Sequence, residues 1–136
     1  MSNIYSDGIF DLFHRGHVEY FKKMKKMGRV IIGVIDDQTA KTYKRLPIYN
    51  EQDRIELVKS CKYVDEVIFP APLIITQNFI TENDIHLVVH GFSNKEDADK
   101  QTDFFKIPIK LNKFKIVPYY RDISTSDIIE KIKKKY

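Results

Sequence analysis

The feature that most constrains this chain is "RVIIGVI" at 29–35, in which Arg29 is followed by an unbroken apolar run whose side chains are mostly β-branched. A strand solvated on one face alternates polar and apolar residues, whereas a strand buried on both faces of a parallel sheet is apolar throughout. Further strand-like segments are a short extended start at 3–6, "EVIF" at 66–69, "IHLVVH" at 85–90 and "FKIVPYY" at 114–120. Helix-length crossovers separate them. Val18, Phe21, Met24 and Met27 recur at near-helical spacing until Gly28, "NEQDRIELVKSCKYV" at 50–64 reads as a helix capped by Asn50, and 76–83 reads as a short helix. "ISTSDIIEKIKKKY" closes the chain as a helix capped by Ser124 or Thr125, with Asp127 in its first turn, where negative charge suits the helix dipole. Strands joined by such crossovers run parallel, so the expected fold is α/β: a doubly wound, five-stranded parallel sheet flanked by helices.

At 136 residues and 43% hydrophobic, the chain can bury one sizeable core but not two, so residues 1–136 form a single domain. Nine Phe and eight Tyr are more aromatics than a disordered segment carries. The net charge of +4 collects between Lys22 and Lys26 and between Lys131 and Lys135. These clusters read as solvated helix faces and not as a nucleic-acid surface, and the balance suits an anionic small substrate. The lone Cys61, inside a predicted helix, argues for a reducing compartment. With no membrane-length apolar run and no signal-peptide pattern, the expectation is a cytoplasmic chain without membrane insertion. Two segments fit the scheme poorly, 36–47 and 91–113, the latter containing "NKEDADKQTD". Long connections in a compact domain tend to be functional.

In doubly wound sheets, ligands sit beyond the carboxyl ends of the strands, and the first strand-to-helix turn offers free N–H groups and a helix dipole to phosphate. "DGIFDLFHRGH" at 7–17 occupies that turn. Gly8 allows a tight bend there and Gly16 a close approach at the helix start, so that His14 and His17 can both donate to one anionic group. That pairing suits phosphoryl chemistry. Zinc is the competing use of two histidines, but a closed site needs more ligands, and the only Cys lies mid-helix; no metal-ligating residues are assigned. Two readings stand for Asp11: it orients the turn or a neighbouring donor, or it bonds its own backbone.

"DGIFDLFHRGH" resembles the His-x-Gly-His signature of the nucleotidyltransferase superfamily, and more narrowly of the cytidylyltransferases. Their second signature is echoed by "YRDISTSDII" at 120–129, and "NEQDRIELVKSCKYVDEVI" and "PAPLIITQNFI" are similar to segments of the phosphocholine and phosphoethanolamine enzymes. The resemblance implies a Rossmann-like fold and a reaction in which a substrate phosphate attacks the α-phosphorus of CTP, pyrophosphate leaves and a CDP-alcohol of phospholipid biosynthesis forms. By it, His14 and His17 contact the phosphates, backbone at Ile9 and Phe10 lines the turn with Gly16, and Lys44 in "TYKRLP" is the family's loop lysine, with Arg45 beside it. Ser124 and Thr125 match hydroxyls that bind phosphate or ribose. Tyr119 stands where the signature arginine belongs; either a two-residue deletion brings Arg121, two positions on, into its role, the reading adopted, or the nucleotide contact is altered. Arg54 matches a family arginine or is an ion-paired surface residue. The resemblance also implies Mg2+ with the triphosphate and a homodimer through 61–67.

The substrate is less well marked. His90 and Phe92, in "HGFSN", are assigned to the phosphorylated alcohol, Phe92 by stacking on an ammonium group, with a place in the core as its equal alternative. Asp97 or Asp99 supplies a carboxylate or belongs to a solvated loop. Phosphoethanolamine and phosphocholine lead. Glycerol 3-phosphate, a nucleotide-binding relative without catalysis and an adenylyltransferase are the alternatives.

Overall fold

The structure is a computed structural model that describes residues 2–92, 94–118 and 123–136. In chain order its elements are β1 Asn3–Gly8, α1 Arg15–Lys25, β2 Arg29–Val34, α2 Asp37–Tyr43, α3 Glu51–Ser60, β3 Glu66–Ile68, α4 Gln77–Glu82, β4 Leu87–His90, α5 Lys95–Gln101, a 3-10 turn Thr102–Phe105, α6 Lys106–Lys110, β5 Phe114–Ile116 and α7 Thr125–Lys135. The five strands form one sheet in the order β3-β2-β1-β4-β5, and every pairing is parallel. The doubly wound expectation holds.

Alternation along the buried strands sorts side chains onto two faces. Ile4, Val30, Ile32, Val34 and Val89 meet Tyr20, Phe21 and Met24 of α1 and Ile55 and Val58 of α3. Tyr5, Ile31 and Val88 point the other way, against Ile75, Ile80, Ile85 and Phe105. The continuous run at 29–35 therefore feeds both cores at once, and each fully buried aliphatic side chain contributes about 1.5–3 kcal/mol.

Several boundaries differ from the sequence reading. β1 continues to Gly8, and α3 stops at Ser60, which leaves Cys61 as a half-buried, free residue just past the helix and not inside it. The described part of the fifth strand is only 114–116, and the fourth begins at Leu87. The two irregular segments contain helices: α2 in the first, and α5, the 3-10 turn and α6 in the second. Short polar helices such as "DQTAKTY" and "KEDADKQ" have no apolar stripe to announce them.

Arg54 of α3 is neither on the surface nor in the cavity: it is fully buried. Its Nη1 donates to the carbonyls of Ile9 (2.7 Å) and Ile35 (2.8 Å), the residues that follow β1 and β2. Nε reaches the carbonyl of Tyr49 (3.2 Å), and Nη2 pairs with Asp37 Oδ1 (2.7 Å). Asp37 and Glu51 exchange further bonds, each backbone N–H donating to the other's carboxylate, which locks the first turns of α2 and α3 together. Replacing Arg54 by Met should strand a carboxylate and three carbonyls and lower the unfolding free energy by about 3–5 kcal/mol in urea titrations. Arg54→Lys, which keeps the charge without the planar fork, should remain clearly destabilised.

Candidate functional site

Successive strands move from β1 through β2 to β3 on one side, then resume with β4 and β5 on the other, so the order reverses between β1 and β4. A cavity of about 380 Å³ lies there, lined by Asp7 and Gly8 at the end of β1 and by His90 at the end of β4. Ile9, Phe10, Asp11, His14, Gly16 and His17 form one wall; Tyr43, Lys44, Arg45, Asn94, Gln101 and 123–126 complete it. Both position and size suit a small-molecule site, for which roughly 300–1,000 Å³ is usual.

The two histidines are built into the start of α1. His14 is its N-cap, with Nδ1 accepting from the Gly16 N–H (3.0 Å), while His17 Nδ1 accepts from the His14 N–H (3.1 Å). A nitrogen that accepts carries no proton, so both rings are Nε2–H tautomers with that one donor left to give. The rings stack with centroids 3.9 Å apart, and Phe10 and Phe13 pack against His17. Burial lowers the affinity of both for a second proton: His14 is shifted down, and His17 falls to about 3, with the His14 ring adding to the effect. They are neutral hydrogen-bond donors.

The glycines act differently from one another. A Cβ on Gly16 would stand 2.7 Å from His14 Cε1 and 3.1 Å from the backbone oxygen of Ile123, so only glycine fits between the capping ring and the residue before the cap of α7. Gly8, expected to bend the chain, does not have a left-handed backbone; its missing side chain makes room for the Phe10 ring instead. The left-handed positions of the turn are Phe10 (φ 56°) and Leu12 (φ 48°). The strain at Phe10 is offset by burial of its ring against Phe21.

Asp11 fulfils both readings offered for it. Oδ1 accepts from its neighbour Leu12 (3.0 Å) and from Tyr49 (2.9 Å), and Oδ2 from Ile48 (2.7 Å). Its carbonyl receives the Thr125 hydroxyl (2.8 Å), and Ser124 caps α7 by accepting from Asp127 (3.1 Å). The two signature segments, more than a hundred residues apart in sequence, therefore meet. Arg121 and Tyr119 lie outside the described residues.

Lys44 lines the cavity, and its ammonium stands 3.8 Å from Asp97 Oδ1. Asp97 is buried, contrary to a solvated acidic loop, whereas Asp99 is exposed. His90 lines the cavity; Phe92 is not among the lining residues, and its ring packs on His90 and Phe105 at the edge of the core, the alternative place offered for it. Sequence reasoning passed over Asp7, which is buried with Oδ1 3.5 Å from His90 Nδ1, and neither ring nitrogen of His90 has a hydrogen-bond partner among the described residues. The available signal was a carboxylate at the end of a strand enclosed on both faces. Asn94 and Gln101 were also missed.

The cytidylyltransferase-like family matches residues 5–131. Among curated proteins, the chain is 42% identical over 134 residues to an ethanolamine-phosphate cytidylyltransferase of Arabidopsis thaliana, covering 95% of this chain and 32% of that protein. It is 38% identical over 137 residues to a choline-phosphate cytidylyltransferase of Saccharomyces cerevisiae, covering 98% and 32% respectively. The chain thus spans about a third of the length of these relatives. A crystal structure of the lipopolysaccharide core biosynthesis protein from Thermoplasma volcanium GSS1 superposes with a TM-score of 0.66 at 29% identity, covering 88% of this chain and 97% of that one. No helix among the described residues is long and apolar enough to cross a membrane.

The depressed His17 has a consequence for stability. Above pH 6.5 the imidazole is neutral both folded and unfolded; as pH falls from 6.5 toward 3, the unfolded chain binds a proton that the folded chain refuses. Folding free energy is therefore lost on acidification, by about 1.4 kcal/mol per pH unit or about 2 kcal/mol between pH 6.5 and 5. His17→Gln, whose side-chain carbonyl can still accept from the His14 N–H, should flatten that slope in urea titrations run at each pH.

Proposed function

As the chain belongs to the cytidylyltransferase-like family, we propose that it moves the cytidylyl group of CTP onto a phosphorylated amino alcohol, releasing pyrophosphate and forming a CDP-alcohol. The observation that carries this reading is the stacked histidine pair lining a cavity at the strand-order reversal, with both Nδ1 atoms engaged. The names of the relatives support the substrate class.

An oxygen of the alcohol's phosphate attacks the α-phosphorus, and the bond from that phosphorus to the oxygen bridging toward the β-phosphate breaks, its electron pair leaving with pyrophosphate. The nucleophile is already an anion, so no side chain need remove a proton. What the site must supply is alignment and donors for charge that builds at phosphorus. Neutral imidazoles that each present one fixed N–H meet that requirement without reorganising. Lys44 and Arg45 bring positive charge, joined in this proposal by Arg121. The start of α7, with Ser124 and Thr125, is assigned to ribose or phosphate.

The amino alcohol is read from Asp7 and His90. A buried carboxylate in the cavity wall suits an ammonium group, and the unpartnered nitrogens of His90 beside it suit a group that can donate hydrogen bonds. A primary ammonium does both, a quaternary one only the first, and glycerol, whose hydroxyls donate but carry no charge, only the second. Phosphoethanolamine is the best fit.

The described residues contain no cluster of three metal ligands. Magnesium is part of the proposal: it would enter with the triphosphate beside Lys44 and Arg45 and, when bound, would supply positive charge that offsets the departing pyrophosphate. Dimerisation belongs to the same proposal: residues 61–67 form the turn into β3, which ends one side of the sheet.

A pyrophosphate-release assay should rank phosphoethanolamine over phosphocholine over glycerol 3-phosphate, and CTP over ATP; equal rates with both nucleotides would refute the cytidine assignment. His17→Gln should lower kcat by about 100-fold or more while changing CTP affinity little. Asp7→Asn should lower kcat/KM for phosphoethanolamine roughly 30-fold, about 2 kcal/mol, and leave the KM for CTP near its original value.

A further inference from the structure

Beside the main cavity lies a smaller recess of about 310 Å³, lined by Lys44, Arg45, Asp97 and Lys100 among others. Lys44 borders both spaces, whereas Asp97 borders only the recess. Their charges are 3.8 Å apart, too far for a hydrogen bond and close enough for an ion pair. One partner is fixed and the other is not. Asp97 has a side chain only 10% exposed, its carboxylate accepts from Gln101 Nε2, and its backbone N–H donates to Asn94 Oδ1 (2.8 Å). Lys44 follows the last turn of α2, carries its charge on a flexible stem, and has a side chain 39% exposed.

We infer that Asp97 is a positioning residue for Lys44: it holds the ammonium on the recess side until a polyphosphate in the main cavity draws it across. The inference rests on the nucleotide reading above. A triphosphate offers several negative oxygens against one carboxylate, so it wins the ammonium by charge. The binding energy gained from Lys44 is reduced by what Asp97 gave up. Asp97 therefore weakens ground-state binding of every phosphate ligand that recruits Lys44, products included, and keeps the site from holding them too tightly. Asp97 does not itself line the main cavity and acts there only through wall residues that it contacts.

The test measures the Kd of CTP and of inorganic tripolyphosphate by calorimetry, together with steady-state kinetics. Asp97→Asn should tighten both ligands by on the order of three- to tenfold and lower the KM for CTP without raising kcat. Asp97→Glu, which restores the carboxylate, should return both values to within about twofold of the original chain. In a Lys44→Met background, Asp97→Asn should have no effect. Asp97→Ser removes the same charge and serves if the Asn variant does not fold. Equal tightening with and without Lys44 would overturn the inference, since it would reveal only the general field of a carboxylate; so would unchanged or weaker binding. The two readings fail separately: tripolyphosphate binding that responds to Asp97 through Lys44 would stand even if no cytidylyl transfer occurred, and transfer by the original chain would stand even if Asp97→Asn bound like it.

Discussion

The buried guanidinium of Arg54 is the constraint on which the site depends. Strands β1 and β2 end side by side, and the carbonyls of Ile9 and Ile35 just beyond them would be left without partners where the chain turns away from the sheet. Arg54 takes both, takes Tyr49 as well, and neutralises Asp37. A lysine offers a point charge; only a planar fork of donors joins segments arriving from several directions. Asp11 does the complementary work with acceptors, gathering the N–H groups of Leu12, Ile48 and Tyr49. Between them, one buried cation and one buried anion set the backbone of the cavity's first wall.

On that frame the histidine pair gains its chemistry from the helix it caps. Serine or asparagine would cap α1 as well, but an imidazole that spends Nδ1 on the cap has its remaining proton fixed at Nε2. Capping and tautomer selection are one event. Burial, joined at His17 by the neighbouring His14 ring, then keeps the rings uncharged. The mobile positive charge sits elsewhere, on Lys44, so geometry and charge come from separate elements: the first from a rigid helix start, the second from a flexible side chain that a neighbouring helix can restrain.

Much of this was legible in the chain itself. Unbroken apolar strands and the crossovers between them predict the sheet, and the turn after the first strand is where such sheets bind ligands, which singles out His14 and His17. The readings that failed share a cause. Phe92 looked available for stacking, yet its ring joins Phe105 and His90 at the core edge. Asp97 looked solvated, yet α5 folds it inward against Gln101 and Lys44. Gly8 looked like the bend, yet the left-handed residues are Phe10 and Leu12, whose strain is tolerated because one ring is buried.

Local pattern by itself determined the order of the strands and of α1, α3, α4 and α7, the parallel sheet, and the turn that carries the paired histidines, because periodicity and capping act over a few residues and are written in adjacent letters. Tertiary structure alone decided which polar groups are paired and with whom: the Arg54 guanidinium with the carbonyl of Ile9 across 45 residues, and the Thr125 hydroxyl with the carbonyl of Asp11 across 114. A polar side chain costs free energy in the core unless a partner meets it, and partners so distant in sequence are chosen only when the sheet brings their segments together.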